Sequence, residues 1–244
     1  MTAKVVFISG SSRGIGAATA KRFAREGFAV VLTYNSSKTE AENVAVECRL
    51  LGAPETLIVQ LDLTREESIR QAARLTLKQF PRIDILINNA GIYQEGFFSE
   101  QTFEDIHRQI ATNLEGQIKL THELLPAVIE ALINIASRLG LVGKKRASVY
   151  TATKWGLRGF TKSVALERPD LRVLAVLPGL TATAMGNFGG TPPEKVAEVI
   201  YQAAVGNYHL KSGSDAQVRY YVLGPWGKAV FLLKSLLKFF LGRA

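Results

Sequence analysis

Short, near-continuous apolar runs recur along the chain, each followed by a segment of helical spacing, and this alternation constrains the fold more than any other feature. Strands are predicted over Val5–Ser9, Ala29–Thr33, Glu55–Gln60, Ile83–Asn88, Ala131–Ala136 and Leu171–Leu177. Helices are expected over Gly14–Glu26, Lys38–Leu51, Thr64–Gln79, Phe103–Asn113, Leu114–Glu130, Ser148–Glu167 and Pro193–Val205. Thr64, with Glu67 three residues later, reads as a capping box that opens the third of them. A strand with one wet face alternates apolar and polar residues. These strands do not, so both of their faces must be covered. Parallel strands joined by helical crossovers meet that demand, and the expectation is a single doubly wound α/β domain with a mainly parallel sheet.

Composition agrees with a globular enzyme-sized domain: 244 residues, 47% hydrophobic and 21% charged, which excludes disordered, collagen-like and disulfide-rich classes. The single cysteine, Cys48, cannot form an intramolecular bridge and reads as a packing residue rather than a nucleophile. The run Lys4–Ile8 has no signal-peptide pattern, and no apolar stretch reaches the roughly 18 residues of a membrane span. Cytoplasmic residence is the expectation. The net charge of +9 is widely spread without a nucleic-acid motif, so it reads as solvated surface. His107, His122 and His209 lack the paired spacing of metal ligands, and no metal site is expected.

Between the first strand and helix lies Ser9-Gly10-Ser11-Ser12-Arg13-Gly14-Ile15-Gly16. A glycine-rich turn lets backbone approach a pyrophosphate, and the following helix offers free N–H groups and the positive end of its dipole. The spacing fits neither the G-x-G-x-x-G fingerprint nor a Walker loop. An NAD site places an acid about 20 residues beyond the glycines. Here the second strand ends in Tyr34-Asn35-Ser36-Ser37-Lys38, while Arg13 sits inside the loop where it can meet a 2′-phosphate. NADP(H) is therefore favoured over NAD(H). Asp62, Asn88-Asn89-Ala90-Gly91 and Pro178-Gly179 stand at further strand ends, which in a doubly wound sheet face one crevice.

Tyr150 and Lys154 are four apart on a predicted helix and share its face. A free phenol titrates near 10, and a neighbouring ammonium is expected to lower that value toward the working range of a general acid/base. Ser137 ends the fifth strand, and its hydroxyl can hydrogen-bond a substrate carbonyl oxygen.

Together these pieces resemble the short-chain dehydrogenase/reductase family, whose fold is of the Rossmann type, over roughly residues 4 to 205; its 3-oxoacyl-carrier-protein reductases share the Ser-Arg-Gly-Ile-Gly loop. The resemblance implies that Tyr150 exchanges a proton with the substrate, Ser137 orients the substrate oxygen, Lys154 binds the nicotinamide ribose, and Asn113 holds a water that relays protons to Lys154. It further implies cofactor contacts from Gly10, Ser12, Arg13, Gly14, Ile15, Gly16, Asp62, Asn89, Ala90, Gly91, Pro178, Gly179 and Thr183, besides Tyr150 and Lys154 themselves. The reaction implied is hydride transfer between a nicotinamide and a carbonyl/alcohol pair. A homodimer or higher homo-oligomer is expected with it. A catalytically silent NADPH-binding sensor or scaffold is the alternative, and the intact Asn113, Ser137, Tyr150 and Lys154 argue against it.

The chain departs from the family pattern in three ways. Glu130–Asn134 leads from helix to strand without the usual glycine turn, and Arg168-Pro169-Asp170 is trimmed. The segment from Met185 to Pro192, where the family's substrate lid grows, is short. The family's Val-Asp-Gly-Gly-like strand end is missing, so a catalytic domain over residues 1–210 is followed by an extension over 211–244, either part of the same structural unit or appended to it. Within it, 226–241 forms an amphipathic pattern, with Lys228, Lys234 and Lys238 opposite Leu232, Leu233, Leu236, Leu237, Phe239 and Phe240. Peripheral membrane contact, subunit contact and cover for the pocket all remain open for this stretch. Lys144-Lys145-Arg146 is expected to rim the pocket, where it could attract an acidic acyl carrier; solvated surface is the competing reading.

Overall fold

The structure, a computed structural model, describes residues 3–222; the amphipathic stretch 226–241 lies outside the described residues. Seven parallel strands form one sheet in the order β3-β2-β1-β4-β5-β6-β7. They are β1 (Val5–Ile8), β2 (Ala29–Tyr34), β3 (Thr56–Gln60), β4 (Ile83–Asn88), β5 (Val128–Ile135), β6 (Arg172–Leu177) and β7 (Asp215–Gln217). The helices are α1 (Gly14–Ala24), α2 (Lys38–Leu50), α3 (Glu66–Gln79), α4 (Phe103–Ile110), α5 (Gly116–Leu124), α6 (Ser148–Glu167), α7 (Pro193–Ala204) and the short α8 (Val218–Val222).

The continuous apolar runs now have their cause. In β1, Val6 and Ile8 join a core that includes Phe23 of α1, Val44 of α2 and Ile200 of α7. Their neighbours Val5 and Phe7 join a second core on the opposite face, with Ile69 of α3, Leu120 of α5 and Val164 of α6. Successive side chains point to opposite faces, and both faces are packed. The chain steps outward from β1 through β2 to β3, then returns to place β4 on the other side of β1. Strand order reverses there, which opens a crevice at the carboxyl ends of the strands.

The structure corrects the expected elements at three places. Thr64 does not cap α3: its backbone N–H and its hydroxyl both donate to Asp62 Oδ1, at 2.9 and 2.7 Å, and α3 begins at Glu66 after Arg65. The helix expected to run to Glu130 ends at Leu124. A single 3-10 turn, Leu125–Ala127, carries Pro126, which supplies no N–H to continue a helix, and β5 starts at Val128 opposite Ile83. Finally, the sheet extends past residue 210. β7 pairs with β6 through Ala175–Asp215 and Val176–Ala216, supplying a seventh strand that the mostly polar triplet Asp-Ala-Gln did not announce. No helix among the described residues is long and apolar enough to cross a membrane.

Candidate active site

The glycine loop between β1 and α1 is held by neighbours on both sides. The backbone N–H of Gly10 donates to Thr33 Oγ1 of β2 at 2.8 Å. From the end of β4, the Asn89 amide donates to the carbonyl oxygens of Ser9 and Gly10 at 2.9 and 3.0 Å. Ser9 Oγ accepts in turn from the N–H groups of Asn89 and Ala90. Two glycines are obligatory in this arrangement. Gly10 has φ +64°, and a Cβ there would stand 2.8 Å from Ala90 Cα. A Cβ on Gly16 would collide with the Gly10 carbonyl oxygen and come within 2.6 Å of Asn89 Nδ2. The first turn of α1 has no side-chain cap and no acid, so its N–H groups are directed at the crevice. This bare backbone cradle fits the pyrophosphate of a dinucleotide.

The chemical groups stand at the other end of the same crevice. Ser137 closes β5 and caps the 3-10 turn Arg138–Gly140, its Oγ accepting from the Leu139 N–H at 3.1 Å. Its hydroxyl faces that of Tyr150, on the first turn of α6, and acts on the phenol. Tyr150 is 9% exposed. Burial pushes its phenol up to about 12, with the Ser137 hydroxyl opposing the effect and the charge of the Tyr93 phenol adding to it. One turn along α6, Lys154 is buried and donates to the Ile135 carbonyl oxygen at 2.9 Å. Its ammonium lies 5.6 Å from the centre of the Tyr150 ring, and burial brings its pKa down to about 8. The expected depression of Tyr150 by Lys154 is thus reversed in this structure. Desolvation is the dominant effect on both, and it pushes each group toward its neutral form.

Asn113 lies in a π-helical turn, Ala111–Glu115, that joins α4 to α5. Such turns displace a residue from regular helical spacing and recur at functional sites. Here the turn aims the amide of Asn113 at the chain beyond β4. Its Oδ1 accepts from Ile92 N–H at 2.7 Å, and its Nδ2 donates to Ile92 O at 2.8 Å and to Thr153 Oγ1 at 3.5 Å. A Cβ built on Gly91 would be 3.1 Å from Asn113 Oδ1 and 3.6 Å from Lys154 Nζ, so these three residues meet beneath the pocket.

A crevice of about 1920 Å³ connects the two ends. Gly10, Ser12, Arg13, Gly14, Ile15, Gly16, Asp62, Asn89, Ala90, Gly91, Ser137, Tyr150, Lys154, Pro178, Gly179 and Thr183 all line it, while Asn113 lies behind the wall. The short segment after β6 also borders it, with Leu180, Met185 and Phe188 exposed. Of the basic cluster, Lys144 reaches the rim, but Lys144 and Arg146 both face Glu95, at 3.4 and 3.8 Å, and Lys145 lies over the Phe97 ring. Their charge is partly spent locally. Sequence reasoning missed Tyr93, whose ring meets that of Tyr150 edge to face, with centroids 4.9 Å apart. Its only advertisement in the sequence is its place two residues beyond Gly91.

A sequence model described as short chain dehydrogenase matches residues 4–190. The chain belongs to the short-chain dehydrogenase family. It is accordingly an oxidoreductase of carbonyl and alcohol groups that uses a nicotinamide cofactor. Among family relatives, it is 37% identical over 191 residues to a 3-oxoacyl-[acyl-carrier-protein] reductase of Synechocystis, covering 76% of this chain and 77% of that one. It is 35% identical over 209 residues to the trans-4-hydroxycyclohexanecarboxylate dehydrogenase of Sinomonas cyclohexanicum, covering 80% and 81%. A short chain dehydrogenase of Burkholderia cenocepacia, solved in complex with NADP, superposes with a TM-score of 0.81 at 26% identity, covering 88% of this chain and 95% of that one.

Proposed function

We propose that this short-chain dehydrogenase is an NADPH-dependent reductase of a carbonyl substrate, with Tyr150 as its proton donor. The observation that carries the reading is the Tyr150–Ser137 hydroxyl pair, set one helical turn from buried Lys154 in the crevice that the glycine loop opens into. Bound in that crevice, a reduced nicotinamide supplies the hydride that reaches the carbonyl carbon. Ser137 hydrogen-bonds the carbonyl oxygen and stabilises the charge that develops on it. Tyr150 delivers its phenolic proton to the same oxygen. A phenol raised to about 12 is protonated at neutral pH, the state that reduction requires. Lys154 holds the nicotinamide ribose, and its charge lowers the cost of the phenolate left on Tyr150. Asn113 orders the floor beneath Lys154, where the family resemblance places the relaying water.

NADPH is preferred in this reading because of what flanks β2. Arg13 is exposed at the crevice and makes no ion pair among the described residues, and Tyr34-Asn35-Ser36-Ser37 brings no carboxylate to repel a 2′-phosphate. The Burkholderia protein solved with NADP supports the same choice. Asp62, at the end of β3, is the neighbour of the adenine. The Synechocystis relative's name points to 3-oxoacyl thioesters as the first substrate class, and that of the Sinomonas relative to cyclic alcohols as the second. A homodimer or higher homo-oligomer in the cytoplasm completes the proposal.

The test is NADPH and NADH oxidation with acetoacetyl thioester and with 4-oxocyclohexanecarboxylate. The reading expects turnover of at least one carbonyl, faster with NADPH. Faster turnover with NADH throughout would refute the cofactor assignment.

A further inference from the structure

Tyr93 is built into the wall of the pocket by contacts that regular secondary structure does not require. Its hydroxyl accepts from Lys144 Nζ at 2.9 Å and donates to Glu95 Oε2 at 3.1 Å. Lys144 also faces Glu95 at 3.4 Å, Arg146 faces it at 3.8 Å, and the Gly96 N–H donates to the Arg146 carbonyl oxygen at 2.9 Å. The loop after β4 and the loop before α6 are thereby laced together. At the end of that lacing the Tyr93 ring stands at 83° to the Tyr150 ring.

We propose that Tyr93 is a positioning residue for Tyr150: its ring, tethered by Lys144 and Glu95, fixes the Tyr150 ring and shields the phenolic hydroxyl from bulk water. The inference rests on the reading of Tyr150 as proton donor. It goes beyond that reading because the family motifs leave this position unassigned. Edge-to-face pairs contribute about 0.5–1.5 kcal/mol beyond their buried area, enough to restrain a ring. The tether matters because the ring contact alone leaves Tyr93 free to swing outward with its loop. The titratable groups in contact with the Tyr150 ring are Tyr93, from the loop, and Lys154, from its own helix; Lys144 and Glu95 stand behind Tyr93. The Tyr150 phenol is raised chiefly by burial, the effect that shielding produces, and the charge of the neighbouring Tyr93 phenol adds to it.

The experiment needs no substrate. The full chain is labelled with tyrosine carrying carbon-13 at Cζ, and the Tyr150 signal is assigned by its loss in Tyr150→Phe. In the wild type the signal should stay at its neutral position up to about pH 10.5. In Tyr93→Ala, water reaches the hydroxyl and the titration midpoint should fall by about one pH unit or more. Tyr93→Phe keeps the ring but cuts the tether, Lys144→Met removes the lysine half of it, and both should fall between the two. A Tyr150 signal that is the same in all three variants and the wild type at every pH would overturn the proposal. Should Tyr93→Ala lose its circular dichroism, the two milder variants decide. Failure of the underlying reading looks different: Tyr150→Phe would turn over like the wild type, whatever the titrations show.

Discussion

Arg158 and Asp215 form a two-pronged ion pair, with Nε to Oδ1 at 3.1 Å and Nη2 to Oδ2 at 2.5 Å. Both side chains are largely withdrawn from water, at 12% and 17% exposure. Arg158 also donates to the Gly140 carbonyl oxygen. One guanidinium therefore ties α6, which bears Tyr150 and Lys154, to β7 and to the turn that Ser137 caps. Asp215→Ala leaves that guanidinium buried without a counter-charge. The expected loss is about 2–3 kcal/mol, read as a fall in Tm of about 5–10 °C. A Tm within about 1 °C of the wild type would show that β7 does not need the pair.

The proposed preference for NADPH rests on Arg13. Arg13→Ala should weaken NADPH binding roughly tenfold or more, the scale of a lost hydrogen bond to a charged group, and leave NADH affinity unchanged. Fluorescence titration at fixed ionic strength measures both. Added salt should narrow the gap between wild type and variant for NADPH, because an exposed charge pair is screened. Equal weakening for both dinucleotides would remove the 2′-phosphate role.

Lys154, buried with its charge, burdens the fold. Its pKa of about 8 in the folded chain lies below the ordinary lysine value of 10.5. Below about pH 8 both states hold the proton, and the folded state bears the full cost of a buried charge. Between about 8 and 10.5 the unfolded chain binds more protons, so this contribution to stability improves as pH rises, and above 10.5 the cost is gone. Tyr150 acts in the opposite sense: its raised value stabilises the fold below about pH 10, and that benefit fades toward 12. Lys154→Met should therefore be more stable than the wild type by roughly 2 kcal/mol at pH 7. The advantage should shrink as pH rises from 8 toward 10, while turnover is lost. Urea midpoints across that range give the answer, and a variant less stable at pH 7 would contradict the account.

These residues also mark how much the sequence disclosed. Strands with two buried faces are legible because nothing polar interrupts Val5-Val6-Phe7-Ile8 or Val30-Val31-Leu32. The crevice is legible because strand ends in a parallel sheet share one side, and small residues such as Gly10, Gly91 and Gly179 collect there. β7 is not legible: three residues at an edge, two of them polar, carry no apolar period, and Arg158, which pairs with its Asp215, lies fifty-seven positions away. The boundary at Pro126 was legible in principle, since proline ends a helix, but the apolar Leu124-Leu125 and Val128-Ile129 around it fit helical spacing as well. The direction of the Tyr150 shift was beyond reach, because the sequence supplies a neighbouring ammonium but not the burial of both groups. Tyr93 was missed for the same reason: its role comes from a loop conformation.

The central claim is that Tyr150 moves the proton. Its direct test is Tyr150→Phe, which keeps the ring against Tyr93 and deletes only the hydroxyl. NADPH consumption on the preferred carbonyl should fall by roughly 10²–10⁴-fold, the usual contribution of a positioned general acid. The dissociation constant for NADPH, measured on the same sample, should stay within about twofold, since the glycine loop and Arg13 are untouched. Turnover within about threefold of the wild type, with NADPH binding intact, would contradict the account.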